Sequence, residues 1–369
     1  MINKEFFKQA EELAKEKNVS VESIYETFAK SLQNAFKKIY GHASCRVEMK
    51  PEKSEIMMYS VHKVVDQYSE EETEEENPIE EMLLEDAIKI KPSYKVGDIV
   101  EQPINIKNFS RTGIGAAKST WTQNLKSLER EKAYDYFKEK ENEMVKARVV
   151  DINPEGKFIT LDLSHNVYAF LPKSDLLPND DLHDEDYVNV YIKKVEKTTK
   201  DPKVSVSRSE RNLVIRLMEN YIPEIADGII EIKGIARDAG DRTKIALYSN
   251  DPKVDPIGSC VGEGGARIKE VCKALNGEKI DLYEWSDDPA KLIEKSLQPA
   301  HVTTVLKIDP IHKTSLAVVP DNELSLAIGK SGQNVRLAVQ SCGWKIDIKP
   351  TSKAFEEGLL NEGLNIDAK

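Results

Sequence analysis

One octapeptide pattern occurs twice, and the duplication limits the fold more than any other feature of the chain. Val261-Gly262-Glu263-Gly264-Gly265-Ala266-Arg267-Ile268 and Ile328-Gly329-Lys330-Ser331-Gly332-Gln333-Asn334-Val335 each place an apolar residue before G-x-x-G. Each is followed by a helix-patterned stretch, a glycine (Gly277 or Gly343) and the triplet Lys-Ile-Asp, at 279–281 and 345–347. The copies begin at 261 and 328, 67 residues apart, and one gap aligns the rest. Repetition at this spacing means a duplicated domain and not a solenoid.

The repeated loop has a definite physical use. Glycines let backbone approach backbone where a Cβ would block it, and the N–H groups of the loop and of the helix behind it can receive a phosphate. The arrangement resembles the KH domain, whose G-x-x-G loop clamps about four nucleotides of single strand. The competing reading is a pair of helix hairpins joined by glycine turns. Neither loop has the G-x-x-x-x-G-K-[ST] spacing of a nucleotide-binding P-loop. In the second copy Gly329, Lys330, Ser331, Gly332 and Arg336 are the candidate RNA-binding residues; in the first they are Gly262, Gly265, Arg267 and Lys269. Glu263 puts a carboxylate where phosphate would approach, so the second loop is expected to be the tighter clamp.

Upstream, residues 144–208 change to short strands with period-2 patterning: Met144–Ile152, Phe158–Leu163, Asn166–Leu171, Tyr187–Val195 and Val204–Arg208. Turn-rich segments such as Asn153-Pro154-Glu155-Gly156 separate them. Five short strands in so few residues suit a small OB-type barrel, another small β-module being the alternative. Phe158, Tyr168, Lys173, Lys194 and Arg208 are candidates for a surface that stacks bases above a basic groove. Alternation alone leaves open whether each aromatic is platform or core. The first 140 residues read as an α+β unit. Apolar stripes predict helices around Phe6–Ala14 and Val21–Ile39, with Ser20 as N-cap and Gly41 as stop. Strands are expected at Cys45–Lys50, Ile56–Val65 and Val96–Val100, and a charged helix at Trp121–Tyr136.

Charge bears on the partner. Among 369 residues the net charge is −11, which as a bulk property argues against nucleic acid. Residues 70–86 hold ten acids and residues 175–186 six, neither run with a Lys or Arg. Setting those sixteen aside leaves 48 acids against 53 bases, so basic surfaces can coexist with two acidic runs, read here as solvated loops. No stretch approaches the ~18 apolar residues of a membrane span, and the charged N-terminus argues against a secretory signal. Four scattered cysteines form no C-x-x-C pair, which disfavours zinc ribbons and disulfide frameworks. Six isolated histidines lack metal-ligand spacing. His183 among Asp180, Asp181, Asp184, Glu185 and Asp186 is the most tempting cation site, but a solvated acidic loop explains it better. No catalytic, metal or cofactor site is expected.

The order of parts, an α+β head, a five-stranded barrel and two KH-like repeats, resembles the NusA family of bacterial transcription elongation, termination and antitermination factors. Segments similar to that family's hallmarks include Phe170-Leu171-Pro172-Lys173-Ser174, Pro223-Glu224-Ile225-Ala226-Asp227-Gly228, Ile235-Ala236-Arg237-Asp238 and Arg242-Thr243-Lys244-Ile245-Ala246. Val254 to Gly262, Gly277 to Asp281 and Leu324 to Ala338 add three more. The likeness is strong over residues 142–350 and looser in the head, where Leu84-Glu85-Asp86-Ala87 anchors it.

The resemblance implies a multidomain α+β architecture: an RNA-polymerase-docking head at 1–140, an S1 (OB-fold) barrel at 142–208, KH domains at 209–298 and 299–350, and a short tail at 351–369. It implies a cytoplasmic, monomeric, non-enzymatic factor without cofactor. Such a factor binds core RNA polymerase through the head and single-stranded nascent RNA through the rest, and meets other elongation or antitermination factors. Pausing, intrinsic termination and antitermination would respond to it. Glu263 departs from the expected neutral or basic loop residue. The short tail leaves no place for the acidic C-terminal repeats that some members use, so those activities are not expected. A ribosome-associated S1/KH RNA chaperone would use the same modules and is the alternative.

Overall fold

A computed structural model describes residues 4–17, 19–41, 44–68, 79–106 and 109–360. The acidic run at 70–76, His42 and the tail beyond residue 360 lie outside them. The chain divides into two compact units, residues 1–135 and 136–369.

In the first unit α1 (Lys4–Glu16) and α2 (Val21–Tyr40) form where the apolar stripes predict. The Ser20 hydroxyl accepts the Ser23 N–H at 3.2 Å, and Gly41 ends α2 in the left-handed region at φ 85°. Then come β1 (Cys45–Lys50), β2 (Glu55–Val65), β3 (Glu80–Leu83), α3 (Leu84–Ile90), β4 (Ile99–Ile104) and α4 (Arg111–Glu139), whose residues from Tyr136 on belong to the second unit. The long β2 pairs β4 along one edge, and antiparallel β1 then parallel β3 along the other. Phe7, Leu32 and Phe36 pack on Ile56 and Met58 of this sheet. The α4 helix begins ten residues before Trp121, where Gly113 and Gly115 suggest a loop. A Cβ on Gly113 would lie 2.4 Å from Ile39 Cδ1, so glycine here admits close packing of α4 on α2.

The second unit opens with the expected barrel: β5 (Met144–Ile152), β6 (Phe158–Asp162), β7 (Tyr168–Pro172), β8 (Tyr187–Glu196) and β9 (Lys203–Ser207). They are antiparallel in the order β7-β6-β5-β8-β9, and just beyond the two edge strands Arg208 N–H donates to Asp175 O at 2.8 Å, leaving the sheet nearly closed. Ala147, Val149, Leu161, Leu171, Val190 and Ile192 fill the interior.

Next come α5 (Arg211–Tyr221), α6 (Pro223–Ala226), β10 (Ile230–Asp238), β11 (Arg242–Ser249), α7 (Pro256–Val261), α8 (Ala266–Ala274) and β12 (Lys279–Glu284). A second set follows: α9 (Pro289–Ser296), β13 (Thr304–Asp309), β14 (Thr314–Val319), α10 (Leu324–Ile328), α11 (Gln333–Cys342) and β15 (Lys345–Pro350). Both three-stranded sheets pair their first two strands antiparallel and their last two parallel, so the duplication extends to topology. The α9 helix buries Leu292 and Ile293, and Leu297 just after it, in one core with Ala317, Val319, Ala338 and Ile346 of the second set. It takes the position there that α5 holds in the first. The tail also begins as structure: α12 (Thr351–Glu356) buries Ala354 beside Val318 and Leu360.

The repeats are locked together. A Cβ on Gly234 in β10 would sit 1.9 Å from Ser341 O of α11, so only glycine admits the second repeat's helix onto the first repeat's sheet. Tyr283 Oη and Ser341 Oγ lie 2.9 Å apart. The buried Lys244 ammonium donates to Ser296 O and Gln298 O at 2.8 and 2.7 Å. Those carbonyls lie at the C-terminal end of α9, where a cation is favoured.

Candidate nucleic-acid interface

The second G-x-x-G loop joins α10 to α11. Its first glycine is there for space: a Cβ on Gly329 would fall 2.7 Å from Asn334 N. Its last is there for conformation, at φ 75°, with nothing within 4 Å of an added Cβ. That side of the loop is therefore open space. Ser331 holds φ 51°, an unusual value for a residue with a side chain. Lys330 is exposed at the loop's outer edge and, among the described residues, has no ion pair. The loop is braced from behind: Asn334 Nδ2 donates to Leu297 O and Ala327 O, both at 3.0 Å.

Arg336 is half-exposed, but its guanidinium donates to Asp238 of the first repeat. Gln333 Nε2 donates to Asp238 at 2.9 Å and Asp241 at 2.6 Å. These carboxylates tie the second loop's helix to the first repeat's hairpin, and an arriving phosphate would compete with Asp238 for Arg336.

The first loop is built alike and charged differently. Gly262 faces Arg267, whose Cγ would lie 2.9 Å from an added Cβ. Arg267 occupies the position of Asn334 and does the same bracing work, donating to Ser259 O at 2.8 Å. The rest of its charge is taken by Glu224, at 2.8 and 3.0 Å; the Glu224 backbone N–H and this guanidinium together hold the Glu224 carboxyl below the usual range. Lys269 turns back to donate to Gly264 O at 2.8 Å. The adjoining crevice is lined by Asp255 and Glu263 as well as Arg267. Two of the four residues proposed for this loop are thus committed to holding it together.

On the barrel, register explains the surface. Across four strands Tyr168 faces Asp162, Asp162 faces Arg148, and Arg148 faces Tyr187. In the next row Phe170 faces Thr160, and then Pro172 faces Phe158. Tyr168, Phe170 and Tyr187 are 54%, 62% and 64% exposed, so these aromatics stand outside the core. Phe158 is half-buried and meets Phe170 edge-on, ring centroids 5.2 Å apart. Lys146 Nζ lies 4.9 Å over the Tyr187 ring, and Lys173 is exposed at the end of β7. Phe170 and Tyr187 escaped the sequence reading, although each lies an even number of residues from an aromatic or base on the same strand or opposite one.

Arg208 requires correction. It is 1% exposed and forms a two-pronged pair with buried Asp180, at 2.7 and 2.8 Å. It also donates to Asn189 O at 2.8 Å and, across to the first repeat, to Ala274 O at 3.3 Å. Asn276 Nδ2 meets Asp180 at 2.7 Å, so Arg208 joins barrel to repeat and lines no groove. The second acidic run is accordingly not all solvated: Asp180 is its buried member, and Asp175 pairs with Lys193 at 3.0 Å.

Comparison with known proteins places residues 5–131 in the NusA N-terminal domain family and residues 138–207 in the S1 RNA binding domain family. Residues 208–285 match the NusA-like first KH domain, and residues 289–356 the NusA-like second KH domain. Transcription termination/antitermination protein NusA of Halalkalibacterium halodurans is 39% identical over 98% of this chain and 92% of its own length. NusA of Bacillus subtilis is 40% identical over 96% and 93%, and that of Thermus thermophilus 37% over 98% and 92%. With its four modules matched in order and these three relatives covered over 92–93% of their own length, this chain belongs to the NusA family of transcription termination/antitermination proteins.

Proposed function

We propose that this chain is an RNA-binding transcription factor of the elongation complex, which modulates pausing, intrinsic termination and antitermination. Its relatives' names carry the termination and antitermination activity, and the S1 and KH modules supply the means of holding RNA. The head, residues 1–140, docks on RNA polymerase; the barrel and KH pair hold the emerging single strand. The factor acts as a cytoplasmic monomer and performs no covalent chemistry. Its effect is positional: RNA held beside the polymerase has its hairpin equilibrium biased toward whichever conformer the bound segment favours.

The observation that best supports RNA holding is the second loop, where exposed Lys330, without an ion pair among the described residues, stands beside the open space at Gly332. Single-round transcription on a template with a hairpin pause and an intrinsic terminator tests the proposal. Wild type should lengthen the pause, and Lys330→Ala/Arg336→Ala should shorten it toward the factor-free value. No effect of wild type on pausing or termination, together with copurification with ribosomal subunits, would replace this reading with the RNA-chaperone one.

A further inference from the structure

Where α4 ends against the barrel there is a cavity of about 340 Å³, at the small end of the range that ligand clefts occupy. Tyr136 and Phe137 from α4, Lys140 from the turn after it, Glu143 and Lys146 beside and on β5, and Ser164 after β6 line it. All belong to the second unit. Tyr136 is 41% exposed, and His165 stacks on it with ring centroids 4.3 Å apart and 44° between planes. Ser164, His165 and Asn166 hold φ of 74°, 52° and 57° in succession. Three consecutive left-handed residues with side chains are costly, and such turns gather where a loop presents groups to a ligand.

The charges are those of an anion site. Lys140 and Lys146 have no ion pair among the described residues, whereas the one carboxylate, Glu143, is taken by Arg216 at 3.2 Å. Lys146 also lies over Tyr187, so it stands between the barrel's exposed aromatics and the cavity. Planar rings for a base, two ammonium groups without a carboxylate partner among the described residues for a phosphate, and continuity with an aromatic row are together the parts of a single-strand subsite.

We infer that this cavity binds one nucleotide of single-stranded RNA, its base against the Tyr136–His165 pair and its phosphate at Lys140 and Lys146. The bound strand then runs from the β6–β7 aromatics past Tyr187 and Lys146 to the end of α4. The inference rests on the RNA-binding reading of the barrel.

The test uses the full chain and a labelled, thiouridine-substituted single-stranded RNA long enough to span barrel and loops. Irradiation should give crosslinks in the peptide carrying Tyr136 or that carrying His165, besides crosslinks on the barrel face. Tyr136→Ala and His165→Ala should each weaken binding at least about fivefold, as loss of one stacked base does. Lys140→Ala should lower the slope of log affinity against log salt by about 0.7, one phosphate's share on a single strand. Circular dichroism and melting of each variant separate lost binding from lost fold, and the crosslinks in unmodified protein need no variant. If Phe170→Ala weakens binding while Tyr136→Ala and Lys140→Ala bind as wild type and no crosslink maps to either peptide, the cavity carries no nucleotide. If Phe170→Ala is also without effect, the RNA-binding reading of the barrel itself fails.

Discussion

Gly329 and Gly332 share one loop and are glycine for different reasons, which makes them separable by experiment. Alanine at 329 would meet the Asn334 backbone N–H at 2.7 Å besides adopting a left-handed φ, so Gly329→Ala should cost on the order of 3 kcal/mol of unfolding free energy. Gly332→Ala meets only the conformational penalty, about 1 kcal/mol, yet it would put a methyl group into the open space where RNA backbone would approach. Denaturant unfolding should rank 329 well above 332, and RNA affinity should still fall at 332. Charge separates the loops in the same way. Glu263 is exposed beside Asp255, and the first loop's arginine is engaged by Glu224. Glu263→Lys should strengthen single-stranded RNA binding and steepen its salt slope by about 0.7; titration across a salt series checks both.

At the scale of elements, the barrel's outer rows set aromatic rings in water on strands whose alternate residues fill the core. Phe170→Ala removes a ring that is 62% exposed, so unfolding free energy should move by no more than about 0.5 kcal/mol. RNA binding should weaken by about 1–3 kcal/mol, the worth of a stacked base. Binding isotherms and melts on the same preparation distinguish the two effects. The strands themselves were legible because period-2 patterning and turn residues agree along β5 to β9. Which aromatics face out was not, because that depends on cross-strand register: Tyr187 becomes part of the platform only through its pairing with Arg148. Both G-x-x-G loops could be read directly, since a close approach and a positive φ leave glycine little choice. The work done by Arg267 and Arg208 could not, because Glu224 lies 43 residues from Arg267 and Asp180 lies 28 from Arg208. A sequence shows a free charge and a paired one alike.

At the scale of the whole second unit, the modules are joined through buried ionic and hydrogen-bonded clasps. Arg208–Asp180 spans barrel and first repeat; Asn179 Nδ2 adds a 2.8 Å bond to Gly240 O, where a Cβ would collide with Pro178. Inside the first repeat Arg237 and Glu278 form a second buried pair, and Arg237 also donates to Glu210 O in the connection from the barrel. Asp180→Ala leaves the Arg208 guanidinium buried without its carboxylate and should cost about 3–5 kcal/mol, with the barrel and first repeat losing their common unfolding transition in calorimetry. Rigid joints of this kind would hold the aromatic face and the two loops at set distances along one RNA strand.

If Lys330 holds RNA phosphate at the second loop, the salt dependence of single-stranded RNA affinity must differ between wild type and Lys330→Ala. The variant should bind more weakly, with a slope of log affinity against log salt shallower by about 0.7, and keep its stability, because Lys330 is exposed and has no ion pair among the described residues. Equal affinity and equal slope for the two proteins would contradict it.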